Sequence, residues 1–75
     1  MVRFTLKDVI GSVSMKLELD PGDPVSEVSC IAREYWGSEG FNLCKGYMIM
    51  DERESIGSQI FEGDIVEMIP DPRLM

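Results

Sequence analysis

Apolar and polar residues alternate strictly at the start of the chain, with Val2, Phe4 and Leu6 set against Arg3, Thr5 and Lys7. This period predicts a strand that buries one face. Asp8-Val9-Ile10-Gly11-Ser12 supplies a turn, after which Val13, Met15, Leu17 and Leu19 alternate with Ser14, Lys16, Glu18 and Asp20. Two such runs around a short break predict an N-terminal hairpin. The period then changes. Pro21 stops the second strand, Asp23 is expected to cap a helix, and Pro24 suits its first turn, where no amide donor is needed. At about 100° per residue, Val25, Val28, Ile31, Ala32, Tyr35 and Trp36 gather on one side of that helix. Ser26, Glu27, Cys30, Arg33 and Glu34 gather on the other, and Gly37 is placed to end it.

The second half reads as shorter pieces. Phe41 and Leu43 alternate with Asn42 and Cys44, Lys45-Gly46 turns the chain, and Tyr47-Met48-Ile49-Met50 forms a short strand. Residues 51–59 are polar loop with one helical turn, and Ile60-Phe61 are expected to plug it inward. After a turn at Gly63-Asp64, Val66 and Met68 alternate with Ile65, Glu67 and Ile69 as a last strand. Pro70 and Pro72 are expected to end strand pairing. Residues 1–75 read as one domain, with 70–75 as a flexible tail. Hairpin, crossing helix, two short strands and a terminal strand make an α+β order, that of the β-grasp. In it a mixed sheet of four to five strands carries one helix across one face. The first and last strands would be central parallel neighbours.

Composition narrows the function classes. A chain of 75 residues buries roughly 60% of the surface its unfolded form exposes, so its core is thin. The net charge of -7 would repel DNA or RNA, and no Lys/Arg cluster interrupts it. No apolar run is long enough to span a membrane, and no leader sequence stands out. The chain has no His, which excludes Ser-His and Cys-His catalysis. Two cysteines, Cys30 and Cys44, are too few for a zinc site or an iron–sulfur cluster, and they read as free thiols of a reducing, cytoplasmic protein. They are expected on opposite sides of the domain, too far apart to join. Asp51-Glu52-Arg53-Glu54 lacks the spaced oxygens and central Gly of a calcium loop and reads as a solvated loop. No cofactor, metal or enzymatic activity is expected.

Residues 15–28, Met-Lys-Leu-Glu-Leu-Asp-Pro-Gly-Asp-Pro-Val-Ser-Glu-Val, resemble ubiquitin's second strand, proline turn and helix start. Ser55-Ile56-Gly57-Ser58-Gln59-Ile60 is similar to the family's loop, in which two aliphatics anchor a short turn. Residues 62–75 resemble the family's last strand and tail. The chain is thus similar to the ubiquitin superfamily over nearly its whole length, with residues 38–51 the loosest part. Modifiers and sulfur carriers of that superfamily act through a C-terminal Gly-Gly. Here the tail reads Arg73, Leu74 and Met75, and no Gly-Gly occurs in the sequence. A diglycine enters narrow activating clefts because it has no Cβ, so the resemblance implies a fold and a surface without that chemistry.

The surface so implied is the outer sheet face. Carried over by position, its apolar patch would comprise Val9, Cys44 and Ile69, with Glu67 among them and Ile65 on the same face. Glu67, Asp71, Asp51 and Glu52 would form an acidic rim, opposed by Lys45 and Arg73, suited to a protein partner with basic groups. The resulting expectation is a monomeric, non-conjugating protein-interaction module that presents its outer sheet face or an edge strand to a protein partner. Two alternatives stay open: a sulfur carrier or modifier with an atypical or processed terminus, and a small accessory subunit of a larger enzyme or secretion complex.

Overall fold

The computed structural model describes residues 1–10, 12–37 and 40–70. Its elements are β1 (Val2–Asp8), β2 (Val13–Leu19), α1 (Ser26–Trp36), β3 (Phe41–Lys45), β4 (Met48–Ile49), α2 (Ile56–Gln59) and β5 (Ile65–Pro70). The strands form one five-stranded sheet in the order β2-β1-β5-β3-β4. β1 and β2 are antiparallel, with Phe4 opposite Leu17 and Leu6 opposite Met15. β1 and β5 are parallel central neighbours, with Leu6 opposite Val66. β3 runs antiparallel to both β5 and β4. This mixed sheet with one main helix is the β-grasp arrangement that the alternation predicts.

The inward set follows the period of two. Phe4, Leu6, Leu43, Val66 and Met68 leave the sheet on one side and are buried with Val25, Val28 and Ala32 of the helical segment. Each such side chain contributes roughly 1.5–3 kcal/mol relative to exposure. Ile56 and Ile60, the two aliphatics of the short helical turn, close the core from below, and Met15, Leu17, Leu19 and Trp36 pack at its edge. No described helix is long and apolar enough to cross a membrane.

Several expectations are corrected. Helix α1 starts after Val25, and no side chain caps it, so Asp23 is not its N-cap. Backbone carbonyls of the neighbouring loop do that work: Val25 N–H donates to Glu54 O at 2.8 Å and Ser26 N–H to Glu52 O at 3.0 Å. Helix-end donors need partners of some kind, and here the tertiary fold provides them. Gly37 ends the helix as expected, left-handed at φ 65°, its N–H on Arg33 O. Tyr35 is exposed although its position flanks the apolar stripe, whereas Ser29 is buried within it. Phe61 does not plug the core: it is 61% exposed, and Ile60 alone turns inward. Pro70 belongs to β5, opposite Phe41, rather than to a tail.

Candidate functional site

Side chains that alternate with the core positions stand on the sheet's other face. On β5 these are Ile65, Glu67 and Ile69, since Val66 and Met68 point inward. The register lines them up with their neighbours: Thr5 with Ile65, Lys7 with Glu67, Glu67 with Cys44, Ile69 with Asn42, and Cys44 with Ile49. Lys7, Glu67, Cys44 and Ile49 therefore form one row across four strands. Val9 lies just beyond β1, with its N–H on Met68 O at 3.4 Å, which sets it beside Ile69. The structure thus brings Val9, Cys44, Ile65, Glu67 and Ile69 to one region.

Their contributions to surface differ. Ile65 is 56% exposed, Val9 is exposed, and Ile69 and Glu67 are half-buried. Cys44 is only 6% exposed, because its short side chain sits in the row between the longer Glu67 and Ile49. It underlies the patch rather than presenting itself. Ile49, 62% exposed and directly opposite Cys44, belongs to the patch and was missed by the sequence reading. Its signal was available, since Met48 and Ile49 sit in a strand too short to bury both faces. Tyr47 and Met48 are also exposed at the β3–β4 turn, but Met48 stands opposite Lys45 and so leaves the sheet on the other side.

The charged frame also differs from expectation. Lys45 is not on this face, because alternation from Leu43 turns it to the core side. There Lys45 Nζ donates to Gln59 O at 2.7 Å and to Asp64 Oδ2 at 3.0 Å. It also lies 4.6 Å from the centroid of the Phe61 ring, a cation–π contact made on the ring's exposed side of the fold. Asp51 and Glu52 lie on the loop that meets the start of α1, and the Asp51 carboxylate is occupied by Arg53 N–H at 2.9 Å. The outer face instead carries Lys7 beside Glu67, with Arg3 opposite Glu18 on the β1–β2 side. Among the described residues the frame is mixed in sign. Asp71, Arg73, Leu74 and Met75, the rest of the expected rim and tail, lie outside the described residues.

Two measurable consequences follow from this chemistry. Burial, and then the Glu67 carboxylate, push the Cys44 thiol above its ordinary range, so it stays protonated and unreactive near neutrality. Cys30 is exposed on the helix. A thiol reagent at pH 8 is expected to label one cysteine quickly, Cys30, and Cys44 only after denaturation. Peptide mapping of the labelled chain checks this, and equal native labelling would contradict the burial. The second consequence concerns Asp64. Its carboxylate accepts the Phe61 N–H at 2.8 Å and the Lys45 bond, and these hold it below the usual carboxylate range, the Phe61 bond most. A depressed carboxylate stabilises the fold above its unfolded pKa of about 3.9, and that contribution is lost as pH falls through the lower folded value. Asp64→Asn should therefore lower stability at pH 6 yet flatten the decline below about pH 4. Denaturant titrations at several pH values read both slopes; parallel slopes would remove Asp64 from the account.

No protein-family profile matches the sequence, and no curated protein matches it. Among solved structures, the crystal structure of ATBAG1 in complex with HSP70 is similar, with a TM-score of 0.80 at 19% identity over 96% of this chain. The chain spans 41% of the length of that one. At this identity the likeness concerns architecture, and it agrees with the topology above: the chain has a ubiquitin-like β-grasp-type fold.

Proposed function

We propose that this chain is a non-enzymatic protein-interaction module that presents the outer face of its sheet to a protein partner and does not act by conjugation. The observation that carries the reading is the row of Ile65, Ile69 and Ile49 around Glu67 on a face that no described element covers. Clustered aliphatics on an open sheet face are costly to leave in water and are typical of contact sites. Glu67 and Lys7 at their centre add charges that select among partners more than they add affinity. The similar solved structure was determined as a complex with a protein, HSP70; what supports the reading is that class of partner, and HSP70 itself belongs to that protein. Two unpaired thiols, one on the helix and one in the sheet, support a reducing, cytoplasmic address.

The test is a crosslinking pull-down with the wild type, Ile65→Asp and Ile69→Asp, alongside mass spectrometry of the chain recovered from cells. A charge in the centre of an apolar contact is expected to weaken capture at least about tenfold, a typical central-contact effect, while circular dichroism stays native. An unchanged partner set would refute the patch. A lysine adduct or thiocarboxylate on the recovered chain would favour the carrier reading instead.

A further inference from the structure

Strand β2 forms one edge of the sheet, and no described strand pairs with it on the side away from β1. Which backbone groups it leaves open follows from the ladder. Thr5 N–H donates to Asp64 O and Gly63 N–H to Arg3 O, so odd-numbered β1 residues bond towards β5. Even-numbered β1 residues therefore bond towards β2, and their partners are Leu19, Leu17, Met15 and Val13. The amides and carbonyls of Ser14, Lys16 and Glu18 face the open edge. An edge of this length is a template for another strand.

The sequence of that edge is complementary to itself. In an antiparallel pairing of two copies about a two-fold axis at Leu17, Lys16 of one copy stands opposite Glu18 of the other, twice over. These are the residues whose backbone groups point outwards, so each such pair would exchange both of its main-chain hydrogen bonds. On the opposite face of the sheet, Met15 meets Leu19 and Leu17 meets Leu17. All three are half-buried at the margin of the core and would gain cover. Axes at Lys16 or Glu18 would place like charges face to face, and an axis at Met15 would set Lys16 against Ser14. The geometry points to a symmetric dimer of this chain in which β2 pairs with β2 of a second copy in the Leu17-centred register, extending the sheet to ten strands. A closed two-fold contact of this kind uses one patch on both subunits and ends there.

This departs from the monomer expected from the sequence, and it is independent of the outer-face patch, which lies on other strands. The net charge of -7 on each chain opposes association over long range, so the dimer is a weak one, in the range of about 10 µM to 1 mM for a small transient contact. Salt screens that repulsion.

Sedimentation equilibrium of the full chain at 0.15 M salt, from micromolar to millimolar concentration, tests the proposal with three variants. Lys16→Glu and Glu18→Lys are each expected to weaken the dimer about tenfold, because each replaces two attractive cross-strand pairs by two repulsive ones. The double swap, Lys16→Glu with Glu18→Lys, re-creates opposite charges and is expected to return to within about threefold of the wild type. Overall charge alone would give a different order, with Glu18→Lys the tightest of the set, since it reduces the net negative charge. That order would overturn the register, as would failure of the double swap. A wild type that remains monomeric at about 1 mM, an edge left to another protein or to none, would overturn the dimer itself.

Discussion

Leu6→Ala is expected to cost about 2–5 kcal/mol of folding stability, the usual loss for a buried leucine that leaves a cavity. Leu6 has no exposed surface and stands where the sheet is most enclosed, opposite Met15 on one side and Val66 on the other. Collapse around the gap is limited there, because both neighbouring strands are fixed by their ladders and the helix covers the face. The upper part of the range applies. A chain of 75 residues has a total stability of roughly 4–11 kcal/mol, so the substitution removes a large share of it. Urea denaturation followed by far-ultraviolet circular dichroism measures it. A cost below about 1 kcal/mol would mean that Leu6 is not at the centre of the core.

Gly57→Ala is expected to cost about 1–3 kcal/mol, for a different reason. A Cβ at this position would lie 2.8 Å from Pro21 Cβ and 3.1 Å from Pro21 O. The two segments cannot simply part. Gly57 N–H donates to Pro21 O at 2.9 Å, and the adjacent Ile56 N–H donates to Asp23 O at 2.8 Å. Proline is stiff and both contact atoms belong to backbone or ring, so the added methyl must break a bond or displace the turn before α1. Gly46→Ala makes an informative comparison. Gly46 has φ 64° and open space around it, so its cost is conformational only, about 1 kcal/mol. Equal costs at the two positions would mean that the Pro21 approach is not tight.

The strands and the helix were legible because periodicity reports burial. Where one face of an element meets the core, the sequence alternates accordingly, and β1, β2 and β5 obey this. The errors fall where a neighbour distant in sequence decides the matter. Asp23 precedes Pro24 as a capping residue should, yet carbonyls of Glu52 and Glu54 take the helix-end amides. Phe61 is apolar, yet its ring stays at the surface with the Lys45 ammonium over it. Parity with Leu43 along β3 turns Lys45 inward, away from the expected rim. The patch was found by carried-over position, which located Ile65 and Ile69 but not Ile49, whose strand has only two paired residues. Cys44 shows the remaining gap. Alternation gives the face a side chain leaves from, whereas its exposure depends on how tall its cross-strand neighbours are.

The placement of β5 between β1 and β3 has a consequence for biogenesis. Without it, the hairpin at the amino end and the β3–β4 ribbon share no strand, and isolated ribbons of two strands are marginal in water. The tertiary structure can therefore close only when residues 65–70 have emerged from the ribosome and threaded the central slot. Until then the apolar faces of the preceding strands and of the helix stay open to solvent, or to a chaperone.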